Sequence, residues 1–351
     1  MIHAFENADF QERLHVINDA ETGVTGIIAI HSTAIGPAAG GCRLWHYETQ
    51  TDLVTDAIRL ARGMSYKNAM AGLPFGGGKA VLQRPEGDFD RAALFRVFGE
   101  AVAALKGAYI TAEDVGTTIA DMRAVRRQAP FVAGLEVADG MAGGDPSPWT
   151  ALGVFESMKA AALSVLHLDL AGASVAVQGV GNVGSRLCRL LKDAGAKLVI
   201  ADVDEVRAAA LAHELGASHV GIDDILSVDA DILAPCALGG ILNADTIPDL
   251  RVRLVCGGAN NQLATEADGH TLAERGILYA PDYVVNAGGI INVSAEYLGE
   301  TSDQVADRVG QIAGRLLDVF RRSTEEQVPP GVMADRLAQH LIASARRRQA
   351  A

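Results

Sequence analysis

One hexapeptide constrains the fold more than anything else in the chain. Gly179-Val180-Gly181-Asn182-Val183-Gly184 stands directly after a short apolar run, Ser174–Gln178, and opens a helical pattern over Asn182–Ala194. In a strand-to-helix turn of this kind the first glycine permits the sharp bend. The second lets backbone approach a pyrophosphate, and the third lets helix and strand pack closely. The helix N-terminus then offers free N–H groups and a positive dipole end to the phosphates. Asp202 ends the next strand, 23 residues after Gly179. A carboxylate there can accept both ribose hydroxyls and would repel a 2′-phosphate, which predicts NAD over NADP. Asp204 competes for that role, and Arg207 lies one helical turn on.

Around this turn the chain alternates. Thr150–Leu166 reads as a helix, Lys197–Ala201 as a strand and Glu205–Leu215 as a helix, with short strands at Asp231–Ala234, Val252–Cys256 and Ile277–Tyr279. Strands alternating with helices predict a doubly wound parallel sheet with right-handed crossovers. Upstream, Leu14–Asn18 and Val24–His31 read as a hairpin, and Thr51–Met70 as a helix with Leu53, Ala57, Leu60 and Met64 on one stripe. A strand at Lys79–Gln83, a helix at Asp90–Lys106 and a strand at Ala108–Thr111 follow. Thr118 with Asp121 marks one more helix start. The Gly-Gly-Asp-Pro-Ser-Pro run inside Ala133–Pro148 predicts an interdomain connection. Val305, Val309, Ile312, Leu316 and Val319 predict one long amphipathic helix. Gln327–Gly331 then reads as a second hinge strand, and the helix after it, Val332–Arg347, as folding back on the first domain.

Composition narrows the function classes. With 351 residues, two domains with proper cores are expected. A net charge of −13 argues against nucleic acid as a partner, and Arg346-Arg347-Arg348 reads as a solvated helix end. Cys42, Cys188, Cys236 and Cys256 form no CxxC, and the histidines form no HExxH, so neither a disulfide framework nor a metal is expected. Met1–Arg13 lacks an apolar signal core, and no run approaches the roughly 20 apolar residues of a membrane span. A cytoplasmic, soluble protein is expected.

The first domain carries the second dense motif. In Pro74-Phe75-Gly76-Gly77-Gly78-Lys79 a lysine follows three glycines, but Gly72 is misplaced for a P-loop and Ala80 replaces its Ser or Thr. The glycines predict a backbone closing on a small ligand, with Lys79 confined beside it. Extending the helix stripe lands on Lys67, a lysine continuing an apolar face, for which snorkelling is the bland alternative. Asp114, in a loop after a short strand, reads either as a site residue or as a turn residue. Two lysines and a carboxylate converging would make a chemical site. One lysine would hold a substrate carboxylate, and the other, crowded by that charge, would drop from about 10.4 to about 7–8 and act as a base.

Six further stretches add specificity: Gly36-Pro37-Ala38-Ala39-Gly40-Gly41-Cys42-Arg43, Ala112-Glu113-Asp114-Val115-Gly116-Thr117, Ala234–Gly240, Gly258-Ala259-Asn260-Asn261-Gln262-Leu263, Ala280–Tyr283 and Asn286–Gly289. With them the chain resembles, almost end to end, the amino-acid dehydrogenase family that includes leucine, valine, phenylalanine and glutamate dehydrogenases. The resemblance implies reversible, NAD-dependent oxidative deamination of an L-amino acid to a 2-oxo acid and ammonia. It implies that Lys67 binds the α-carboxylate beside Gly40 and Gly41, that Lys79 activates water, and that Asp114 shuttles protons to and from the amine. It further implies that Asn261 positions substrate, and that Thr150 (with Ser147 nearby), Ala237 and Asn260 lie near the nicotinamide and its ribose. Gly179, Gly181, Asn182, Val183, Gly184 and Asp202 complete the cofactor set.

The implied architecture is α/β in two domains. Residues 1–140 plus 328–351 form a substrate-binding and oligomerisation domain, and 141–327 form a Rossmann-like NAD domain. Closure of the two would exclude water. A homo-oligomer is implied, with the edge strands near Leu14–His31 as contacts. Specificity cues conflict. Ala39 stands where glutamate enzymes carry a lysine, which disfavours an acidic substrate, and its small size makes room for a larger one. Ala112 and Ile290 match the branched-chain pattern, and with Val293 predict an apolar pocket. A leucine-like or valine-like substrate is expected, with phenylalanine or another aromatic as the alternative. Two other classes, a non-catalytic dinucleotide-binding regulator and a 2-oxo acid reductase using His213-Glu214, fit less of the pattern.

Overall fold

The computed structural model describes residues 13–135 and 139–350, so the N-terminal stretch through residue 12, and residues 136–138 of the predicted connection, lie outside it. Two compact units divide the chain: 1–144 with 293–301 and 338–351, and 145–292 with 302–337.

In the first unit the strands are β1 (Arg13–Asn18), β2 (Thr25–Ser32), β3 (Ala38–Ala39), β4 (Cys42–Trp45), β5 (Gly76–Gln83) and β6 (Tyr109–Ile110). The helices are α1 (Gln50–Met70), α2 (Arg91–Ala104) and α3 (Ile119–Arg126). The sheet runs β1-β2-β5-β3-β6, with β4 also on β5. β1–β2 and β2–β5 pair antiparallel, whereas β3 and β4 join β5 in parallel. Side-chain alternation sorts the two faces. Ile28, Ile30, Ala80 and Leu82 enter a core with Phe95 and Phe98 of α2 and Met122 and Val125 of α3. Ile27, Ala29 and Val81 pack instead on Leu53, Ala57 and Ala61 of α1. Lys79, two residues before Val81, therefore belongs to the face that α1 covers.

The helix stripe is a correction. Its buried positions run Leu53, Ala57, Ala61, Ser65 and Asn68, one residue off the predicted 60, 64 and 67. Small side chains at 61 and 65 admit β5 to the helix, which leaves Lys67 half-buried at the margin of the packed face. The glycine run is a second correction. A Cβ at Gly77 would overlap the Ser65 backbone nitrogen, and one at Gly76 the Ser32 carbonyl. The atoms these glycines admit are the protein's own: Gly77 seats α1 on β5, and Gly76 lets the Ser32 carbonyl at the end of β2 approach. At the next turn, Thr118 and Asp121 form the expected capping box.

The second unit contains α4 (Ser147–Val165), β7 (Ser174–Gln178), α5 (Asn182–Asp193), β8 (Lys197–Ala201), α6 (Glu205–Leu215), β9 (Ser218–His219), β10 (Ile232–Pro235), β11 (Leu254–Val255), α7 (Glu266–Glu274), β12 (Leu278–Tyr279), α8 (Asp282–Val285), α10 (Ser302–Gly310) and α11 (Ile312–Glu326), with the first residues of α9 (Gly288–Leu298) and of α12 (Pro330–Ala350), both of which continue in the first unit. Its sheet is parallel throughout, in the order β12-β11-β10-β7-β8-β9. That is the doubly wound dinucleotide-binding order, with its switch point between β7 and β10. The division between the units falls inside α9 and again inside α12.

The predicted long helix is two, α10 and α11, broken at Gly310–Gln311, although all five apolar stripe residues remain buried. The expected hinge strand is absent. Gln327 closes α11 in a left-handed conformation, φ 55°, and Pro330 starts α12 directly.

Candidate active site

In the first unit, Lys79 is 5% exposed, and its Nζ lies 2.9 Å from Asp114 Oδ2. Asp114 reaches it from a loop that is firmly held. The Asp114 N–H donates to Thr117 Oγ1 at 2.9 Å, and that hydroxyl donates to the Cys42 carbonyl at 3.0 Å. The Cys42 N–H in turn donates to the Ala112 carbonyl at 2.8 Å. Gly41 makes the close approach, since a Cβ there would sit 2.8 Å from Asp114 Cβ. Burial pushes the Asp114 carboxyl up, but the Lys79 ammonium and then the Arg43 guanidinium outweigh it and hold it below the usual range. The sequence predicts a lysine crowded by a second cation. What the structure sets against Lys79 is a carboxylate, that of Asp114.

Lys67 sits in the last turn of α1, the helix that Gly77 seats on β5. Its neighbour Asn68 is fully buried and donates to the carbonyls of Ala39 at 3.3 Å and Gly76 at 2.6 Å. Tyr109 OH donates to the Gly40 carbonyl at 2.6 Å. Ala39 is buried between Gly77 and Ile110, and Ala112 is half-buried. Sequence reasoning misses Asn68, Tyr109 and Thr117, whose partners are all backbone atoms remote in sequence or hidden in a loop.

In the second unit, Gly179 adopts φ 90°, and a Cβ there would lie 2.7 Å from Ala237 Cβ. Gly181 caps α5, and a Cβ on it would meet nothing within 4 Å, whereas Gly184 packs on the Gly179 carbonyl. Asn182 and Val183 form the first turn of α5, their N–H groups at its positive end. Asp202 is 5% exposed. Its Oδ2 accepts the Val180 N–H at 2.7 Å, while its Oδ1 accepts the Asp204 N–H at 2.9 Å and Arg207 Nη2 at 2.6 Å. Burial would raise this carboxyl, but the backbone bonds and Arg207 hold it lower. The Asp204 side chain caps α6, its Oδ1 accepting the Arg207 N–H at 3.0 Å. The residues thus fit a dinucleotide: an open glycine at a helix N-terminus for the pyrophosphate, and an ionised carboxylate on the next strand for the ribose.

The loop Gly257–Asn261 follows β11 at the same end of the sheet. Gln262 Nε2 donates to the Gly257 carbonyl at 2.8 Å, and Asn286 Nδ2 to Asn260 Oδ1 at 2.9 Å. Asn261 is left-handed, φ 52°, and its carbonyl accepts the Gly240 N–H at 2.7 Å. Gln262 and Asn286 are only motif letters in the sequence, and the structure makes them the braces of this loop. Thr150 Oγ1 donates to the Pro146 carbonyl at 3.1 Å, and Ser147 is buried beside it. Ile290 and Val293 lie three apart on α9, both half-buried, in the second and first unit respectively. Glu214 is exposed and paired with Arg189 at 3.0 Å, which removes His213-Glu214 as a catalytic pair. Among the described residues no helix is long and apolar enough to cross a membrane.

Two family models cover most of the sequence. One, described as the Glu/Leu/Phe/Val dehydrogenase dimerisation domain, matches residues 10–130. The other, Glutamate/Leucine/Phenylalanine/Valine dehydrogenase, matches 145–206 and 200–349. A leucine dehydrogenase of Geobacillus stearothermophilus is 46% identical over 97% of this chain and 93% of its own. A valine dehydrogenase of Streptomyces coelicolor is 44% identical over 96% and 94%. The crystal structure of L-tryptophan dehydrogenase from Nostoc punctiforme superposes with a TM-score of 0.87 at 40% identity, over 97% of this chain and 98% of that one.

Proposed function

This chain belongs to the glutamate/leucine/phenylalanine/valine dehydrogenase family, and from that membership we propose how its residues divide the reaction. The protein is an NAD-dependent dehydrogenase that acts on the CH–NH2 group of an apolar L-amino acid and forms the 2-oxo acid, ammonia and NADH, reversibly. When bound, NAD supplies the acceptor for the hydride leaving the α-carbon. Lys67 holds the α-carboxylate, beside the backbone of Gly40 and Gly41. Asp114 takes a proton from the α-ammonium group, so that the nitrogen lone pair can form the imine. Lys79, whose ammonium first gives up its own proton to solvent once Asp114 has been neutralised, then orients the water that attacks the imine carbon and accepts its proton, and Asp114 returns a proton to the departing amine.

The buried Lys79–Asp114 ion pair is the observation that carries this reading. A dinucleotide-binding regulator would have no use for a charged pair shielded from water, where it costs desolvation. We assign substrate binding and oligomerisation to residues 1–140 with 328–351, and the dinucleotide to 141–327. Gly179, Gly181, Asn182, Val183, Gly184 and Asp202 hold the adenosine and pyrophosphate, while Thr150, Ala237 and Asn260 line the nicotinamide side. Asn261 positions the substrate. The sheet edge at β1, where Val16 is exposed, is the surface through which chains associate.

Leucine-like and valine-like side chains are the preferred substrates, supported by Ala112, Ile290 and Val293 and by the named leucine and valine relatives. The likeness to a tryptophan dehydrogenase, together with the small Ala39, favours an aromatic substrate as the second reading. Rates of NADH formation with leucine, valine, phenylalanine, tryptophan and glutamate at equal concentration separate the two. Leucine or valine should lead and glutamate should be silent; a lead for tryptophan or phenylalanine gives the specificity to Ala39. Lys79→Ala should cut turnover by about 10²–10⁴-fold and leave NADH affinity intact. Full turnover in that variant would remove Lys79 from the chemistry.

A further inference from the structure

Arg43, from β4, has no part in the steps above, yet it is tied to their central carboxylate. Its Nε lies 3.2 Å from Asp114 Oδ2, the same oxygen that Lys79 engages at 2.9 Å. Both cations thus converge on one of the two carboxylate oxygens. The guanidinium is itself clamped from behind, with Nη1 2.9 Å from Asp56 Oδ2. That carboxylate also accepts Tyr47 OH at 2.6 Å and, through Oδ1, Arg59 Nη2 at 2.8 Å. One polar chain therefore runs from the middle of α1 through β4 to the Asp114 loop.

We propose that Arg43 is a positioning residue for deamination: it fixes one oxygen of Asp114, so that the other is presented to the substrate's α-amino group, with Asp56 and Tyr47 holding the guanidinium in place. This rests on the reading of Asp114 as the proton carrier. Stability alone is a weak reason to keep such a chain. The Arg43 side chain is only 21% exposed, and burying a charge this far is often no better than packing apolar groups of similar volume. What the guanidinium adds is geometry, because its planar fork holds two carboxylates in fixed directions, which the rotatable donors of an ammonium on a flexible stem do not. The backbone bonds of Thr117 and Cys42 set the height of the loop, and Arg43 sets the rotation of the side chain. The charged and titratable groups around Asp114 are Lys79 from β5, Arg43 and the Cys42 thiol from β4, Tyr109 from β6, and Asp121 of α3, which acts on Cys42.

The test is the pH profile of kcat/KM for oxidative deamination in Arg43→Gln and Arg43→Lys, with NADH binding measured alongside. Arg43→Gln should lower kcat about tenfold to hundredfold, the scale of a misplaced catalytic group. Its acid limb should move up by about one pH unit, since loss of a nearby positive charge favours the protonated form of every group beside it. Arg43→Lys, which keeps charge but loses the fork, should restore the limb and only part of kcat. NADH affinity should hold in both. A wild-type kcat in Arg43→Gln, or a lowered kcat with the limb unmoved, overturns the proposal. If that variant does not fold, Asp56→Asn decides: it keeps the arginine's charge and loosens its grip, so kcat should fall, and a wild-type kcat overturns the proposal. Asp114→Asn tells the two failures apart. Full activity there sinks the proton-carrier reading itself, whereas an inactive Asp114→Asn beside a fully active Arg43→Gln sinks only the role of Arg43.

Discussion

Gly179 and Gly181, two residues apart, need to be glycine for different reasons. Gly179 has φ 90° and lies against Ala237, so a side chain there is strained by the backbone and obstructed by a neighbour. Gly181 has φ −68°, ordinary for any residue, and among the described residues nothing beyond its own chain neighbours lies within 4 Å of the place an alanine Cβ would take. Space at a helix N-terminus that the fold itself does not use is space for the pyrophosphate. Gly181→Ala should therefore keep its thermal midpoint within about 2 °C of the parent. Its dissociation constant for NADH should rise at least about tenfold, equivalent to roughly 1.4 kcal/mol. Fluorescence titration of NADH reads this directly, and an unchanged constant would move the phosphates away from this turn.

The contact of α1 with β5 decides where both lysines of the first unit stand. Gly77 and Ser65 meet backbone to backbone, and Lys79 and Lys67 each follow two residues later. Gly77→Ala must lift the helix or bend the strand, and should cost about 1–3 kcal/mol in a urea titration. A loss below about 0.5 kcal/mol, the scale of an ordinary surface change, would show the contact to be loose. The same contact explains what can and cannot be read from sequence. β7, α5 and β8 carry their period and their turn within one local stretch, so these three elements are legible to within a residue, whereas β9, α7, α8 and α9 are not read from the sequence. The tilt of α1 is not, because the residues selecting Ala61 and Ser65 over Leu60 and Met64 lie on β2 and β5. The glycine run reads as a ligand cradle for the same reason: its close neighbours are remote in sequence. β3 and β4, two and four residues long, exist through pairing with strands remote in sequence, β3 with β5 and β6 and β4 with β5. Lys79 and Asp114 are legible as candidates, whereas Arg43, whose partners lie 13 and 71 residues away, is only a letter in a motif.

Across the whole molecule the buried ionisable groups set a pH window for stability. Asp56, Asp114, Asp121 and Asp202 are partly buried, which would raise them, but the Lys79 ammonium beside Asp114, and bonds to arginines, hydroxyls and backbone N–H groups, leave all four below the ordinary carboxylate range. A carboxyl lowered by folding stabilises the protein fully above its unfolded value, about 3.9, and the contribution is lost as pH falls through the folded value. His15 is also lowered, by burial and then by Arg13, so its share is lost earlier, as pH drops below about 6.5. The cysteines work on the alkaline side. Burial pushes Cys188 up to about 12 and Cys236 up to about 11, so the unfolded chain ionises first and stability declines as pH rises above about 8.5. The thermal midpoint of the full chain should accordingly be flat between about pH 6.5 and 8.5, fall slightly toward pH 5, and drop steeply below about pH 4. Calorimetry at constant ionic strength follows the curve. A midpoint that keeps rising from about pH 7 to about pH 4 would mean that relief of the net charge of −13 outweighs the paired carboxylates, and that the ion pairs around Asp56 and Asp114 do little to hold the fold.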